Sequence, residues 1–271
     1  MIFIYNDISF PKLNISVTIN PIALNLGFLK IYWYGIILAI GFLSAFIYIN
    51  KNLKRFKIKS SDFLDMVLYG VIFGIIGARL YYVIFYPGDY YIKNPWKILD
   101  ITNGGIAIYG GIIGGLIGAS VIAKRRNLKI LPILDAASLG FLIGQSIGRW
   151  GNFVNQEAFG VYTDLPWGMM SQRTGYQTVH PCFLYESLWC LIGFLILHIY
   201  SRKSEKRKDG YIFYLYMIWY GMGRFFIEGI RTDSLIVPYL GIRVSQVFSL
   251  AIVVVSCVLL GIKSYKHRKN T

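Results

Sequence analysis

Charge is scarce in this chain: Asp, Glu, Lys and Arg together make up 15% of 271 residues, against 55% hydrophobic residues. With a mean hydropathy of +0.52, there is too little polar surface to cover a water-soluble globule of this size, so composition excludes a soluble enzyme and indicates a polytopic membrane protein. Cysteine is far rarer still. Cys182, Cys190 and Cys257 stand far apart and two of them lie in apolar runs, which excludes a disulfide framework and argues against a thiolate metal site. Only three histidines occur, and none is grouped with paired acids in a metal-ligand pattern. No Gly-Lys-Ser/Thr follows the abundant glycines and no dinucleotide fingerprint is present, which removes the common phosphate-loop readings. The first residues lack a basic region, short apolar core and cleavage site, so no removable signal peptide is expected. Acidic charge is short too, 13 residues against 28 basic ones. In a soluble protein that imbalance would suggest nucleic acid; here the placement of the basic residues decides otherwise.

Seven apolar segments are predicted to span a bilayer, at about 27–50, 61–86, 104–123, 131–148, 182–200, 211–230 and 244–262. The expectation is therefore an all-α polytopic membrane protein, a single integral membrane domain over 1–271. Residues 1–26, with Pro11 and Pro21, read as an irregular or interfacial lead-in. Lys51, Lys54, Arg55, Lys57 and Lys59 follow the first span. Lys124, Arg125, Arg126 and Lys129 follow the third, and Arg202, Lys203, Lys206, Arg207 and Lys208 the fifth. Lys263, Lys266, Arg268 and Lys269 follow the seventh, so 18 of the 28 basic residues fall on every second side. By the positive-inside rule the N-terminus is outside and the C-terminus cytoplasmic. A connector over 87–103 and a longer insert over 149–181, a small head, then lie outside. Orientation explains the basic excess, and no nucleic acid is expected.

Glycines recur four apart at Gly70/Gly74, Gly110/Gly114, Gly111/Gly115, Gly114/Gly118 and Gly144/Gly148, a pattern that lets helices approach closely in lipid. Gly144-Gln145-Ser146-Ile147-Gly148 has the letters of a nucleophile elbow. That motif needs a strand, a sharp turn and a helix, and here it lies within an apolar helical run, so the serine reads as packing.

The chemistry concentrates where the fourth span gives way to what reads as a polar loop. Arg149, Asn152, Asn155 and Glu157 stand there among Gly148, Gly151 and Gly160. A guanidinium fork matches phosphate, and the amides and carboxylate add hydrogen-bonding groups at headgroup depth. A lone arginine at this place would be a snorkelling side chain; two asparagines and a glutamate in register with it are not explained that way. Tyr220, Arg224, Glu228 and Arg231 form one stripe of the sixth span, and charge at such depth pairs or lines a functional cavity. An Arg224–Glu228 pair that only ties helices together is the structural alternative. Arg79, in the second span, could join this set or pair with Asp65 or Glu228. His180 precedes Pro181 at the re-entry into the membrane, with Glu186 six residues on, and reads as a structural interfacial residue; His198 and His267 read as surface residues. A basic, hydrogen-bonding cavity open to lipid suits an anionic phospholipid headgroup, whether to move it or to react with it.

The run Gly148 to Gly160 (GRWGNFVNQEAFG) resembles the signature of bacterial prolipoprotein diacylglyceryl transferases. The similarity extends along most of the chain. Trp33-Tyr34-Gly35, Gly77-Ala78-Arg79, Asn103-Gly104-Gly105 through Gly110-Gly111, His180-Pro181 with Leu184-Tyr185-Glu186, and Tyr220-Gly221 with Arg224, Glu228 and Arg231 all look like motifs of that family. Tyr109 departs from it, since the family often has histidine before the paired glycines, so a histidine base is not implied there. The resemblance implies transfer of the diacylglyceryl group of phosphatidylglycerol to the lipobox cysteine of a prolipoprotein signal peptide, without cofactor or metal, at the outer leaflet of a bacterial plasma membrane. It implies Arg149 and Arg224 as the phosphate-binding, charge-stabilising pair and Asn152, Asn155 and Glu157 as groups orienting headgroup and loop. Gly160, Tyr34, Tyr220 and Glu228 would complete the substrate site, and Tyr109 or His180 would accept the thiol proton.

Overall fold

The computed structural model describes residues 6–27, 30–100, 104–203, 208–234, 236 and 241–269. Asn103, Lys206 and Arg207 lie outside the described residues, as do the side chains of His267 and Arg268. The chain is predominantly helical. Its elements are α1 (Trp33–Asn52), α2 (Ser60–Ile84), the single turn α3 (Tyr90–Lys93), α4 (Ile108–Arg125), α5 (Ile130–Asn155), α6 (Cys182–Lys203), α7 (Tyr211–Glu228) and α8 (Val244–Lys269). Among the described residues six helices, α1, α2, α4, α5, α6 and α8, are long and apolar enough to cross a membrane. The 18-residue α7 is not among them. Its four tyrosines, Trp219, Arg224 and Glu228 hold its hydropathy down.

The chain divides into two compact units, residues 50–133 and residues 1–49 with 134–271. In the first, α2 and α4 are joined by glycine. A β-carbon added at Gly110 would collide with the Gly77 carbonyl and Tyr81, one at Gly114 with the Phe73 carbonyl, and one at Gly118 with the Tyr69 carbonyl. Backbone therefore packs on backbone, the close approach that small residues allow in lipid. Arg126 reaches back to Asp62 and Asp65 at the start of α2. Arg79 consequently has neither of the carboxylates considered for it. It is 7% exposed and donates to four backbone carbonyls, those of Lys97 (Nη2, 2.5 Å), Ile98 (Nε, 2.8 Å), Gly104 (Nη1, 3.2 Å) and Gly105 (Nη1, 2.7 Å). Gly105, at φ +77°, faces that guanidinium at a distance no β-carbon would tolerate. Arg79 thus folds the connector onto the end of α2.

The second unit corrects the reading of the lead-in as irregular. β1 (Asn6–Phe10) and β2 (Ile15–Ile19) form an antiparallel hairpin with Asn6 opposite Ile19, turned through Pro11 and a left-handed Asn14. β5 (Met170–Ser171), from the insert, adds to β1 with Ile8 opposite Ser171. β3 (Ile22–Asn25) and β4 (Lys30–Tyr32) pair as a second small sheet leading into α1. Alternation turns Ile8 and Phe10 to one side, where Ile8 joins Met169, Val179 and Phe183 in a buried cluster and Phe10 stacks on Phe153 at 6.4 Å. Phe153 is on the last turn of α5 and Phe183 on the first of α6, so this small β-structured head grips the two helix ends that carry the polar residues.

Helix α7 is fixed at both ends. Asp135 of α5, fully buried, accepts from the backbone N–H of Gly210 (2.7 Å) and Phe213 (2.8 Å), satisfying donors that a helix start leaves open. At the other end Arg243 donates to the Glu228 carbonyl and Gln246 to that of Phe225 (3.0 Å). Along its length Trp219 stacks on Trp189 of α6, ring centroids 4.5 Å apart. Each indole N–H donates to the backbone carbonyl of the other tryptophan at 2.9 Å. The indoles occupy the space a β-carbon would need at Gly193 and Gly223, four residues after each tryptophan.

Candidate active site

Helix α5 runs to Asn155, seven residues beyond the end of the predicted span, so Arg149, Asn152 and Asn155 are on helix rather than in a loop. It stops because Gln156 takes a left-handed conformation (φ 51°) while the Glu157 N–H returns to the Asn152 carbonyl at 3.0 Å. That turn brings the Glu157 carboxylate back onto its own helix, where it accepts from Asn152 Nδ2 (3.3 Å) and Asn155 Nδ2 (3.1 Å). Tyr34 of α1 packs its ring 2.7 Å from where a Gly151 side chain would begin, so only glycine admits it.

Glu186, on the first turns of α6, is the centre of the arrangement. Arg149 Nε pairs with its Oε2. Its Oε1 takes Arg224 Nη1 at 3.3 Å and Arg231 Nη1 at 3.1 Å. Three guanidinium groups from α5, α7 and the segment after α7 therefore meet on one carboxylate whose side chain is 8% exposed. Arg224 also lies 2.6 Å from Glu228 Oε2, close enough for an ion pair though outside hydrogen-bond alignment. Arg231 holds Asp233 with both Nε (2.9 Å) and Nη2 (2.7 Å). These donations keep the Asp233 carboxyl below the ordinary carboxylate range, against partial burial. Within this centre charges balance, three arginines facing Glu186, Glu228 and Asp233.

The groups enclose a cavity of about 20 Å³, room for one water molecule, on whose wall stand Gln145, Arg149, Glu186, Cys190, Tyr220 and Arg224. Tyr220 stacks on Tyr216 at 5.9 Å, and Gln145 donates to the Tyr216 hydroxyl at 3.1 Å. Beside Glu186, Ser187 and Ser146 exchange bonds between α6 and α5. Each hydroxyl donates to the other's backbone carbonyl, at 2.8 Å and 3.0 Å. The hydrolase-like letters around Ser146 thus form a helix clamp. Gly160 sits where the insert crosses the segment after α7; a β-carbon there would meet His180 at 2.8 Å and the Ile230 carbonyl at 3.0 Å.

Of the residues expected in the site, Arg149, Arg224, Tyr220 and Glu228 converge. Asn152, Asn155 and Glu157 form an adjoining cluster, and Gly160 pairs with Arg231 at the crossing of the insert. His180 faces elsewhere. Its Nδ1 lies 3.1 Å from the Tyr185 hydroxyl, which in turn accepts from Trp167 at 2.8 Å, and partial burial lowers its pKa below the ordinary 6.5. Tyr109 belongs to the other unit, 72% exposed with its ring 6.4 Å from Tyr81. His198 is not a plain surface residue, because its Nδ1 bonds the Tyr48 hydroxyl of α1 at 2.6 Å. Glu186 and Arg231 were the residues sequence reasoning left out of the site, although each stood in a motif already singled out. A carboxylate early in a span beside a region rich in arginine was the available signal.

Fold and site together define an integral membrane protein with a buried arginine–carboxylate centre. The prolipoprotein diacylglyceryl transferase family model matches residues 21–262, and the chain belongs to that family. It is similar to the phosphatidylglycerol–prolipoprotein diacylglyceryl transferases of Streptococcus mutans serotype c (46% identity, 92% of this chain and 97% of that one), Finegoldia magna (45%, 89% and 94%) and Staphylococcus aureus (41%, 92% and 91%). It is a transferase of lipoprotein biosynthesis.

Proposed function

We propose that this chain transfers the diacylglyceryl group of phosphatidylglycerol to the lipobox cysteine thiol of a prolipoprotein, releasing glycerol phosphate. The observation that carries the site assignment is the meeting of Arg149, Arg224 and Arg231 on Glu186, with Arg149, Arg224 and Glu186 on the wall of one cavity. Arg149 and Arg224 grip the headgroup phosphate and stabilise the charge that develops on the departing glycerol phosphate, where preorganised donors in a dry site count most. Asn152 and Asn155, held by Glu157, orient the glycerol end, while Tyr34, Tyr220, Gly160 and Glu228 shape and support the site. The thiol must be deprotonated to attack.

In this reading α7 also spans the bilayer, satisfied by α5 and α6 instead of by hydropathy, giving seven spans with the N-terminus outside. The head formed by the N-terminal strands and the insert, with the connector, then lies at the outer face of a bacterial plasma membrane. Cysteines introduced at Asn94 and Tyr176 should label from outside intact cells, and one at Lys129 should not; external labelling of Lys129→Cys would reverse the orientation. Function is tested by mass spectrometry of a lipobox peptide incubated with the pure protein and phosphatidylglycerol. A diacylglyceryl mass gain on cysteine supports the enzyme, whereas unmodified peptide with lipid bound to the protein supports a lipid carrier.

A further inference from the structure

The arginines that should hold a phosphate are already occupied. Both oxygens of Glu186 are engaged, Oε2 by Arg149 and Oε1 by Arg224 and Arg231. The space between them, about 20 Å³, admits a water molecule but not a phosphodiester. The centre is charge-balanced as it stands, so an incoming anion has to take guanidinium partners from a carboxylate rather than fill an unpaired site. Glu186 is also the one carboxylate among the described residues on the cavity wall, and no histidine is there. The remaining polar side chains on that wall carry guanidinium, amide, indole, thiol and phenol groups, none of them an anion in its ordinary form.

We infer that Glu186 is an internal counter-anion which the lipid phosphate displaces, and that the carboxylate so released accepts the proton of the attacking thiol. The inference rests on the transferase reading and deepens it. Arg149 and Arg224 pass from Glu186 to the phosphodiester. The thiol S–H bond breaks and its proton goes to a freed Glu186 oxygen. The sulfur electron pair forms the S–C bond to the glyceryl carbon that carries the phosphate. The C–O bond breaks, its electrons remaining on glycerol phosphate between the arginines. The proton then leaves to product or water, and the restored carboxylate competes for the arginines and expels the product. One exchange of partners thus couples binding, proton transfer and release, and no proton acceptor is exposed until lipid is in place. Arg231, clamped on Asp233, keeps its place throughout and steadies the carboxylate.

The test compares wild type, Glu186→Gln and Glu186→Asp in phosphatidylglycerol mixed micelles. Equilibrium binding of headgroup-labelled lipid is measured beside kcat for a lipobox peptide. Glu186→Gln removes the competing charge and the proton acceptor together. Lipid should therefore bind about threefold or more tighter while kcat falls by about 10²–10⁴, the usual contribution of a general base. A residue that merely holds the helices would instead weaken lipid binding on substitution. Weaker binding, or transfer within tenfold of wild type, overturns the inference. Should Glu186→Gln fail to fold, Glu186→Asp carries the same comparison, since it draws the carboxylate back from the arginines: tighter lipid with slower transfer supports displacement, and weaker lipid overturns it. Infrared difference spectra of wild-type protein with ¹³C-labelled glutamate give a reading free of variants; a carboxylate band unmoved by lipid overturns displacement. Absence of transfer by the wild type would instead defeat the transferase reading, so the two failures are distinguishable.

Discussion

Replacing Gly223 by alanine tests whether the register of α6 and α7 is what brings Glu186 to Arg224. The added β-carbon would overlap the Trp189 indole, which is stacked on Trp219 and hydrogen-bonded to its carbonyl. Two ways of accommodating it can be costed. If the helices hold and the core is overpacked, the penalty is about 1–3 kcal/mol. If Trp189 swings away, it loses one hydrogen bond of about 1 kcal/mol and a ring pair of about 0.5–1.5 kcal/mol. Both routes converge near 2 kcal/mol. Gly223→Ala should lower unfolding stability by that amount in reversible SDS–detergent titration. It should also slow transfer at a temperature where the protein remains folded, because Arg224 is the next residue. Trp189→Phe, which shortens the ring system and already lacks the indole N–H, should absorb part of the clash. The double variant should then be about 1 kcal/mol more stable than additivity predicts, within the range seen for residues in contact. A Gly223→Ala protein as stable as wild type to within about 0.5 kcal/mol, or strict additivity, would refute the clasp.

Arg149→Lys should reduce transfer by about 10²–10³, because one ammonium cannot reproduce the guanidinium fork proposed to hold the phosphate; initial rates on a lipobox peptide check it, and near-wild-type activity would remove Arg149 from the chemistry. For His180 the folded pKa lies below the ordinary 6.5 because burial penalises its charged form. Its contribution to stability is therefore complete above that value and is lost as pH falls through the folded pKa, since the unfolded chain takes up a proton first. His180→Gln should flatten the decline in melting temperature on acidification below neutrality, and an unchanged decline would assign it to other groups.

The helices were legible because lipid imposes long apolar runs, and the glycine pairs because close packing leaves a repeat of four. The polar signature was legible as a cluster, and Arg149, Arg224, Tyr220 and Glu228 do meet. What could not be read was the hub: Glu186 is 37 residues from Arg149 and 45 from Arg231, and no local spacing marks a partner across three elements. Arg79 escaped for a different reason, since its partners are backbone carbonyls, which every residue possesses and no sequence distinguishes. The β-structured head was missed because Ile8, Phe10, Ile15, Val17 and Ile19 alternate over strands of only five residues, broken by Pro11. The end of α5 was misjudged because hydropathy falls where the helix leaves lipid, while its backbone bonds continue to Asn155.

The low hydropathy of α7 bears on how the chain is made. Asp135 caps its start from α5 and Glu186 of α6 receives its Arg224, and both partners precede it in the sequence. On the proposed seven-span arrangement, a ribosome delivers α7 to the membrane only after the segments that neutralise its polar groups have been inserted. It should enter against those helices and not directly from the translocation channel into lipid. Glycosylation mapping of nascent chains should find α7 held across the bilayer when α5 and α6 precede it and left in water when they are replaced by unrelated spans. The Arg224–Glu186 ion pair would then also serve as the chain's own retention signal during synthesis.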